Sequence, residues 1–167
     1  MKRTLIYLTI AALAAVSAFA QSSSGNSNLN LTIGPEAAFT ALLSTTSLTT
    51  AAGGLFGAYT GTTTFTYKIR TTESTGSGVI TVQVTDFASG GPLISDLTFN
   101  CTAASGTACS SGTAASDSAG VTVVSFAGGV HSADGGDAGT VAWSLVNRPS
   151  TKTGSYSSTA TFNISAL

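Results

Sequence analysis

The middle of the chain alternates strictly between apolar and polar side chains, and this period of two is what most constrains the fold. From residue 62 to residue 70, Phe65, Tyr67 and Ile69 alternate with hydroxyl and cationic side chains. Successive side chains on a β-strand point to opposite faces, so the run predicts a strand with one dry and one wet face. A second alternating run covers residues 79–87. Because only a Gly-, Ser- and Thr-rich connection separates the two runs, they are predicted to pair as an antiparallel hairpin.

Six further segments have the composition of short strands. Turn signals rich in Gly, Asn and Pro separate them, and no segment has a convincing helical period. Strands at such short spacing bury their apolar faces best against a second sheet. The sequence therefore predicts an all-β fold, an antiparallel immunoglobulin-like β-sandwich of about eight strands. The six segments are 29–33, 35–43, 93–99, 121–127, 140–146 and 155–167.

The region after Gly34 is compatible with two secondary structures. Pro35 and Glu36 with the two following alanines could open a helix over 35–48, whereas Phe39, Ala41 and Leu43 fit the alternation of a strand. The threonines that follow disfavour a long helix because their β-branched side chains are restricted there. A strand is the preferred prediction, and a helix stays open.

The N-terminus has the order of charge, apolar core and small residues that is typical of a secretory signal peptide. Lys2 and Arg3 precede an apolar run over residues 5–16, and Ala18 and Ala20 frame a cleavage site predicted after Ala20. The apolar run is shorter than the roughly 20 residues that span a bilayer, so no membrane span is expected in the mature chain. The mature protein is predicted to be secreted or displayed at the cell surface.

Three parts of the chain follow from this prediction: a signal peptide over 1–20, a flexible polar leader over 21–28, and a single β-sandwich domain over 29–167. Charged residues make up 8% of the chain, against about 25% in average globular proteins, and Thr, Ser and Gly stand where charges would be. Such a surface is common in extracellular fibre and coat proteins. The chain has no basic patch, so nucleic acid is not an expected partner.

The two cysteines of the chain are closely spaced. In an exported protein, a pair such as Cys101 and Cys109 indicates a disulfide that closes a short loop. Two thiolates are too few for a structural zinc site, and redox pairs are more often spaced C-x-x-C. Residues 103–120, nearly all of them small, are predicted to form a surface excursion that this disulfide pins.

The single histidine limits the catalytic possibilities. His131, with Ser132 and Asp134 close in sequence, is the one place where a Ser-His-Asp triad could be built. The chain lacks the G-x-S-x-G elbow that exposes such a nucleophile. We therefore expect a solvated loop histidine, no catalytic residues and a non-enzymatic protein without a cofactor.

Two ligand sites are weaker possibilities. Asp134 and Asp137 flank two glycines and offer the oxygen ligands that calcium prefers, but no EF-hand spacing or nonapeptide repeat supplies the remaining ligands. Trp143 could be a platform on which a sugar ring stacks. Val141 and Leu145 share its strand face, so a buried core tryptophan is the preferred interpretation.

Two resemblances point to surface proteins. Secreted bacterial immunoglobulin-like and WxL-type surface proteins have C-terminal strands that resemble Trp143-Ser144-Leu145 and Tyr156-Ser157-Ser158-Thr159-Ala160-Thr161-Phe162-Asn163-Ile164. The segment FTYKIRTTESTGSGVITVQVTDF is similar to secreted bacterial β-sandwich proteins. The second tryptophan motif of WxL proteins is missing. The alternating residues 28–33, which follow a polar leader, resemble fimbrial subunits of the donor-strand type.

These resemblances imply a structural or adhesive protein of the bacterial cell surface or extracellular matrix. Its expected partners are other copies of itself, other surface proteins or a glycan, and the alternatives are a carbohydrate-binding module and a fimbrial-type subunit. Residues 28–33 are predicted to be an edge strand, which either pairs within its own sheet or pairs with another chain.

Overall fold

In the computed structural model of the chain, the described residues are 27–51, 54–104, 107–114 and 120–167. The chain divides into two units, 1–32 and 33–167. Of the first unit, residues 27–32 are described, and they have no regular secondary structure. The signal peptide and most of the leader lie outside the described residues and stay predictions.

The described part of the second unit is all-β. It has ten strands and one turn of 3-10 helix at Ile94–Asp96, and no α-helix occurs among the described residues. No helix in the described ranges has the length and hydropathy needed to cross a membrane. The strands are β1 (Glu36–Leu42), β2 (Thr49–Thr50), β3 (Tyr59–Arg70), β4 (Gly78–Val84), β5 (Leu97–Thr102), β6 (Ala108–Cys109), β7 (Ser111–Thr113), β8 (Val121–Phe126), β9 (Asp137–Leu145) and β10 (Ala160–Ala166).

The strands form two antiparallel sheets. The first sheet has the order β1-β3-β9-β5-β7, with the short β2 also paired to β3. The second sheet has the order β10-β4-β8-β6. Two antiparallel sheets with one shared core confirm the all-β prediction and give a sandwich-like arrangement.

The hairpin predicted between the two alternating runs is wrong. The first run forms β3, which pairs with β1 and β9, and the second forms β4, which pairs with β8 and β10 in the other sheet. Both strands have one apolar face, and these faces lie across the core from each other instead of edge to edge. Alternation in the sequence shows which face of a strand is buried, but it does not show which other strand is hydrogen-bonded to that strand.

The apolar faces of the two sheets form one core. Tyr67 on β3 is fully buried, and its ring centroid lies 5.4 Å from that of Phe126 on β8 in the opposite sheet. Phe65 on β3 makes a similar contact with Phe162 on β10, at 6.2 Å. Such aromatic pairs bury large apolar areas and tie the sheets together. The buried core consists of Phe65, Tyr67, Ile69, Ile80, Val82, Val84, Leu97, Phe99, Cys101, Ala114, Val123, Val124, Phe126, Val141, Trp143 and Leu145.

Residues 28–33 do not form the predicted strand. The first strand begins at Glu36, and Leu29, Leu31 and Ile33 are 94%, 82% and 59% exposed. The alternation is present in the sequence, but no described strand pairs with it. The period of two in this segment therefore identifies a row of apolar side chains, but it does not identify a strand that pairs with them.

The strand alternative for the region after Gly34 is the one that forms, as β1 over Glu36–Leu42. Phe39 packs against the core, with its ring 5.9 Å from Phe65. The excursion over 103–120 is exposed in β6 and β7, as its small residues predicted, but it adds these two short strands to the sheets. Residues 105–106 and 115–119 of the excursion lie outside the described residues.

The two cysteines connect the sheets. Cys101 lies on β5 of the first sheet and Cys109 on β6 of the second, with their sulfur atoms at disulfide-bonding distance. Backbone hydrogen bonds run through the same loop, because the Cys101 N–H donates to the Ser110 carbonyl and the Ser110 N–H donates to the Val123 carbonyl. The disulfide therefore fastens one side of the fold across the core.

Candidate functional site: an apolar cleft between the sheets

A cleft of about 1280 Å³ opens between the two sheets at one end of the second unit. Its floor is formed by inward-facing side chains of both sheets: Leu97, Trp143 and Leu145 from the first, Val84 and Phe162 from the second. The same alternation that fills the core elsewhere continues to this end of the strands. Four of these five side chains are themselves buried, at 5% exposure or less. The apolar surface that stays exposed lies at the rim of the cleft, in side chains such as Leu42, Leu43 and Val146.

Trp143 is held rigidly in this floor. Its side chain is 5% exposed, and its indole Nε1 donates a 2.8 Å hydrogen bond to the Thr63 hydroxyl. The hydroxyls of Thr63 and Thr46 are 2.7 Å apart, so a chain of three polar groups runs from the floor to the wall of the cleft. The ring centroid of Trp143 lies 6.1 Å from Phe99 and 6.5 Å from Phe162. A buried indole with a bonded N–H offers little free face to a sugar ring.

One wall of the cleft is the segment 44–48, which follows β1 without regular secondary structure. It crosses the inner side of β3 at Gly61, where an added Cβ would come within 2.7 Å of the Ser47 carbonyl oxygen and 2.8 Å of Leu48 Cδ2. A side chain at this position would push the wall away from the strand. The absence of one at Gly61 therefore allows the segment to lie close to the sheet.

The opposite wall is formed by residues 146–159. The Tyr156 hydroxyl lies 3.1 Å from the Gly90 carbonyl oxygen and 2.9 Å from that of Lys152, and the Tyr156 ring packs on Gly91. These contacts fasten the long connection between β9 and β10 to the turn that follows β4. The cleft thus has two anchored walls.

An ion pair supports the base of this second wall. Arg148 donates through Nε and Nη2 to both carboxylate oxygens of Asp96, whose side chain is 6% exposed, and the Val146 N–H donates to the Asp96 carbonyl. Two parallel N–H donors on one carboxylate fix the geometry of both groups. The hydrogen bonds from Arg148 hold the pKa of the Asp96 carboxyl below its ordinary value.

The mouth of the cleft combines hydroxyl groups with positive charge. Ser44–Ser47 lie on one side and Ser157–Thr159 on the other, and the two cations are Arg148 and Lys152. No Asp or Glu is among the described residues that line the cleft. The site is therefore apolar at its floor and rich in hydroxyl groups at its mouth, and its charged side chains are cations.

The residues singled out for chemistry from the sequence lie elsewhere. His131 forms a β-bridge with Arg70, and the Ser132 hydroxyl accepts a 3.1 Å hydrogen bond from the Ile69 N–H. The Ser132 side chain is thus hydrogen-bonded to the backbone of β3. Asp137 begins β9, while Asp134 lies in the turn before it. No group of three or more His, Cys, Asp or Glu side chains that could hold a metal ion occurs within the described ranges.

Sequence reasoning found the floor of the cleft but not the cleft itself. Trp143 is the buried core tryptophan that the sequence favours over an exposed platform, and it lies in the floor of the cleft. Arg148 and Lys152 received no role from the sequence. Their one signal is that they are two of the few cations in a chain with 8% charged residues.

No protein-family model, curated protein or solved structure matches this chain significantly.

Proposed function

We propose that this protein is an exported, non-enzymatic structural or adhesive component of the bacterial cell surface or extracellular matrix, with an immunoglobulin-like β-sandwich as its single domain. The supporting observation is the part of the outward face of the first sheet around Thr60–Thr64 of β3, here called the uncharged face; Lys68 and Arg70 lie further along the same strand. Adjacent residues there form three cross-strand rows of hydroxyl, amide and methyl side chains without a charge. The rows are Thr60, Ser144, Thr98 and Thr113; Thr62, Ala142, Asn100 and Ser111; and Thr64, Thr140 and Thr102.

An uncharged face of this kind favours lasting contact with another surface. Removing a charged side chain from water costs several kcal/mol unless the charge is paired, whereas a hydroxyl costs far less and readily finds a hydrogen-bond partner. Low net charge also favours association over dispersal in solution. A domain fastened across its sheets by a disulfide is suited to an extracellular location, where such bonds persist.

One matched pair of variants tests this role. Thr62→Lys introduces a charge in the middle of the uncharged face, and Ser125→Lys introduces the same charge at the exposed residue of β8 in the other sheet. After washing of cells that export each form, the fraction of protein kept in the surface or matrix fraction should fall severalfold for Thr62→Lys and stay unchanged for Ser125→Lys. Equal retention of both variants would contradict the proposal. So would turnover in a broad hydrolase screen that His131→Ala abolishes.

A second candidate function is a fimbrial-type subunit that assembles by strand exchange. It is favoured by one observation: the side chains of Leu29, Leu31 and Ile33 alternate in sequence, are exposed, and pair with no described strand. β10 is a candidate acceptor because it lies at the end of the second sheet, where its one partner among the described strands is β4. An unpaired edge of this kind can add a strand from another chain.

Deletion of residues 21–33 tests strand exchange. The truncated protein should be unable to donate a strand, and a synthetic peptide of residues 28–33 should bind to it, while a peptide with Leu31→Asp should not. The full-length mature protein should form larger species slowly at high concentration. A monodisperse monomer by light scattering under those conditions would contradict this candidate.

The carbohydrate-binding alternative has a direct test on an array of glycans. Specific binding that Trp143→Ala abolishes, with the fold intact, would favour that alternative. The burial of Trp143 and its bonded Nε1 do not favour it.

A further inference from the structure

The exposed apolar side chains of the protein are concentrated at the cleft between the sheets. Half of the large apolar side chains that are exposed among the described residues line it. Leaving such a patch in water is unfavourable, because transferring each methylene from water to an apolar environment lowers the free energy. These side chains are Leu42, Leu43, Leu55, Phe56 and Val146.

The size of the cleft indicates a ligand larger than a compact small molecule. Its volume of about 1280 Å³ exceeds the 300–1,000 Å³ that is usual for compact small-molecule pockets. The floor runs from Leu97 and Leu145 on one sheet to Val84 and Phe162 on the other without a charged group. An unbranched alkyl chain could pack against the exposed rim side chains Leu42, Leu43 and Val146, above this floor, without burying a charged group.

The charge at the mouth selects the head group of the ligand. Two of the cations of this acidic protein, Arg148 and Lys152, line the mouth. Arg148 is already paired with Asp96, whereas the Lys152 ammonium forms no ion pair within the described part of the chain. The hydroxyls of Thr153 and Ser157, which also line the cleft, can donate hydrogen bonds to a carboxylate. Charge complementarity therefore favours an anionic head group over a neutral or cationic one.

We infer that the cleft binds a free long-chain carboxylate, with its alkyl chain against the exposed apolar side chains at the rim and its carboxylate at Lys152. This binding site is independent of the uncharged sheet face on which the proposed structural role rests. A segment of a second copy is a poorer fit, because residues 28–33 carry no charge that could complement Lys152. Arg148 and Asp96 act as positioning residues that hold the wall next to the ligand.

The single tryptophan of the chain provides the readout, because Trp143 lies in the floor of the cleft. Laurate should change its emission saturably when titrated into the mature, disulfide-bonded protein below the micelle concentration. Decanoate, two methylenes shorter, should bind roughly tenfold more weakly, since each methylene contributes about a fourfold change in affinity. Dodecyltrimethylammonium, with the same alkyl length as laurate and the opposite charge, should bind at least tenfold more weakly than laurate.

Two matched pairs of variants locate the site. Lys152→Gln should weaken laurate binding severalfold, while Lys68→Gln, which changes an exposed cation on β3, should leave it unchanged. Leu43→Ser at the rim should weaken binding, while Leu93→Ser, also exposed but outside the cleft, should not. Circular dichroism of each variant confirms that the fold is intact, and all four positions are on the surface.

Several outcomes would overturn the assignment. Absence of a saturable emission change, equal affinity for laurate and the cationic amphiphile, or no effect of Lys152→Gln would each do so. A peptide of residues 28–33 that displaces laurate competitively and binds more tightly would show that a second copy is the occupant. Binding to vesicles of anionic phospholipid without binding of free laurate would assign the cleft to a membrane surface. None of these results depends on retention at the cell surface, so the two proposals fail separately.

Discussion

Replacing both Cys101 and Cys109 with alanine should lower the free energy of unfolding by about 2.5 kcal/mol, because the bond closes a loop in the unfolded chain. The sequence separation of 8 residues sets this magnitude, since a short loop restricts the unfolded chain less than a long one. For a domain of this size, such a loss corresponds to a fall in Tm of roughly 5–10 °C. The effect should be felt across both sheets, because the bond joins β5 to β6.

Urea denaturation followed by Trp143 emission measures this loss. The midpoint should fall in the natural sequence after reduction, and should fall further in the double alanine variant. Cys101 is 7% exposed, so its replacement also removes some core packing, and reduction alone separates this contribution from that of the bond. The matched control is the double alanine variant with reductant, whose midpoint should not move.

Two results would refute this reasoning. A change of less than about 0.5 kcal/mol on reduction would mean that the loop is already restricted in the unfolded chain. Labelling of both thiols in the native exported protein would mean that the bond is not formed.

Three further substitutions test the packing and the ion pair. Tyr67→Phe should change the free energy of unfolding at pH 7 by no more than about 1 kcal/mol, because the buried hydroxyl has no hydrogen-bond partner among the described residues. Burial raises the pKa of Tyr67, so stability is full below about pH 10 and falls as the pH rises further; urea titrations should show a smaller alkaline loss in the variant. The lowered pKa of Asp96 contributes stability that is full above about pH 4 and is lost as the pH falls below it. Asp96→Asn should therefore lose less free energy of unfolding on acidification than the natural protein does. An equal loss in the variant and the natural protein would contradict this. Gly139→Val should cost about 1–3 kcal/mol by thermal or urea denaturation, because a Cβ there would lie 2.4 Å from the Phe65 ring, while Ala138→Val on the exposed face should cost far less.

The faces of the strands could be predicted from the sequence, but their neighbours could not. In β3, the period of two identified which side chains are buried, and Phe65, Tyr67 and Ile69 are all 4% exposed or less. The same period could not show that β3 and β4 belong to different sheets, because pairing depends on the path of the connections and on the other strands. Residues 28–33 show the converse, since they alternate without pairing.

The cleft could not be predicted because the segments that form its walls have no periodic pattern of apolar and polar residues. The segments 44–48 and 146–159 follow paths that depend on single contacts, such as the close approach to Gly61 and the hydrogen bonds of the Tyr156 hydroxyl. Arg148 and Asp96 are 52 residues apart, so nothing local connects them. The disulfide was predictable, since the predicted signal peptide and the close spacing leave few other uses for two cysteines.

Intact mass spectrometry of the protein recovered from the cytoplasm and from washed surface or matrix fractions of the cells that encode it tests the central claim most directly. The proposed exported structural role predicts a chain that begins at Gln21, is two hydrogens lighter than its reduced form, and remains with the surface or matrix fraction after washing. A chain that retains residues 1–20 and is recovered in the cytoplasm with both thiols free would contradict it.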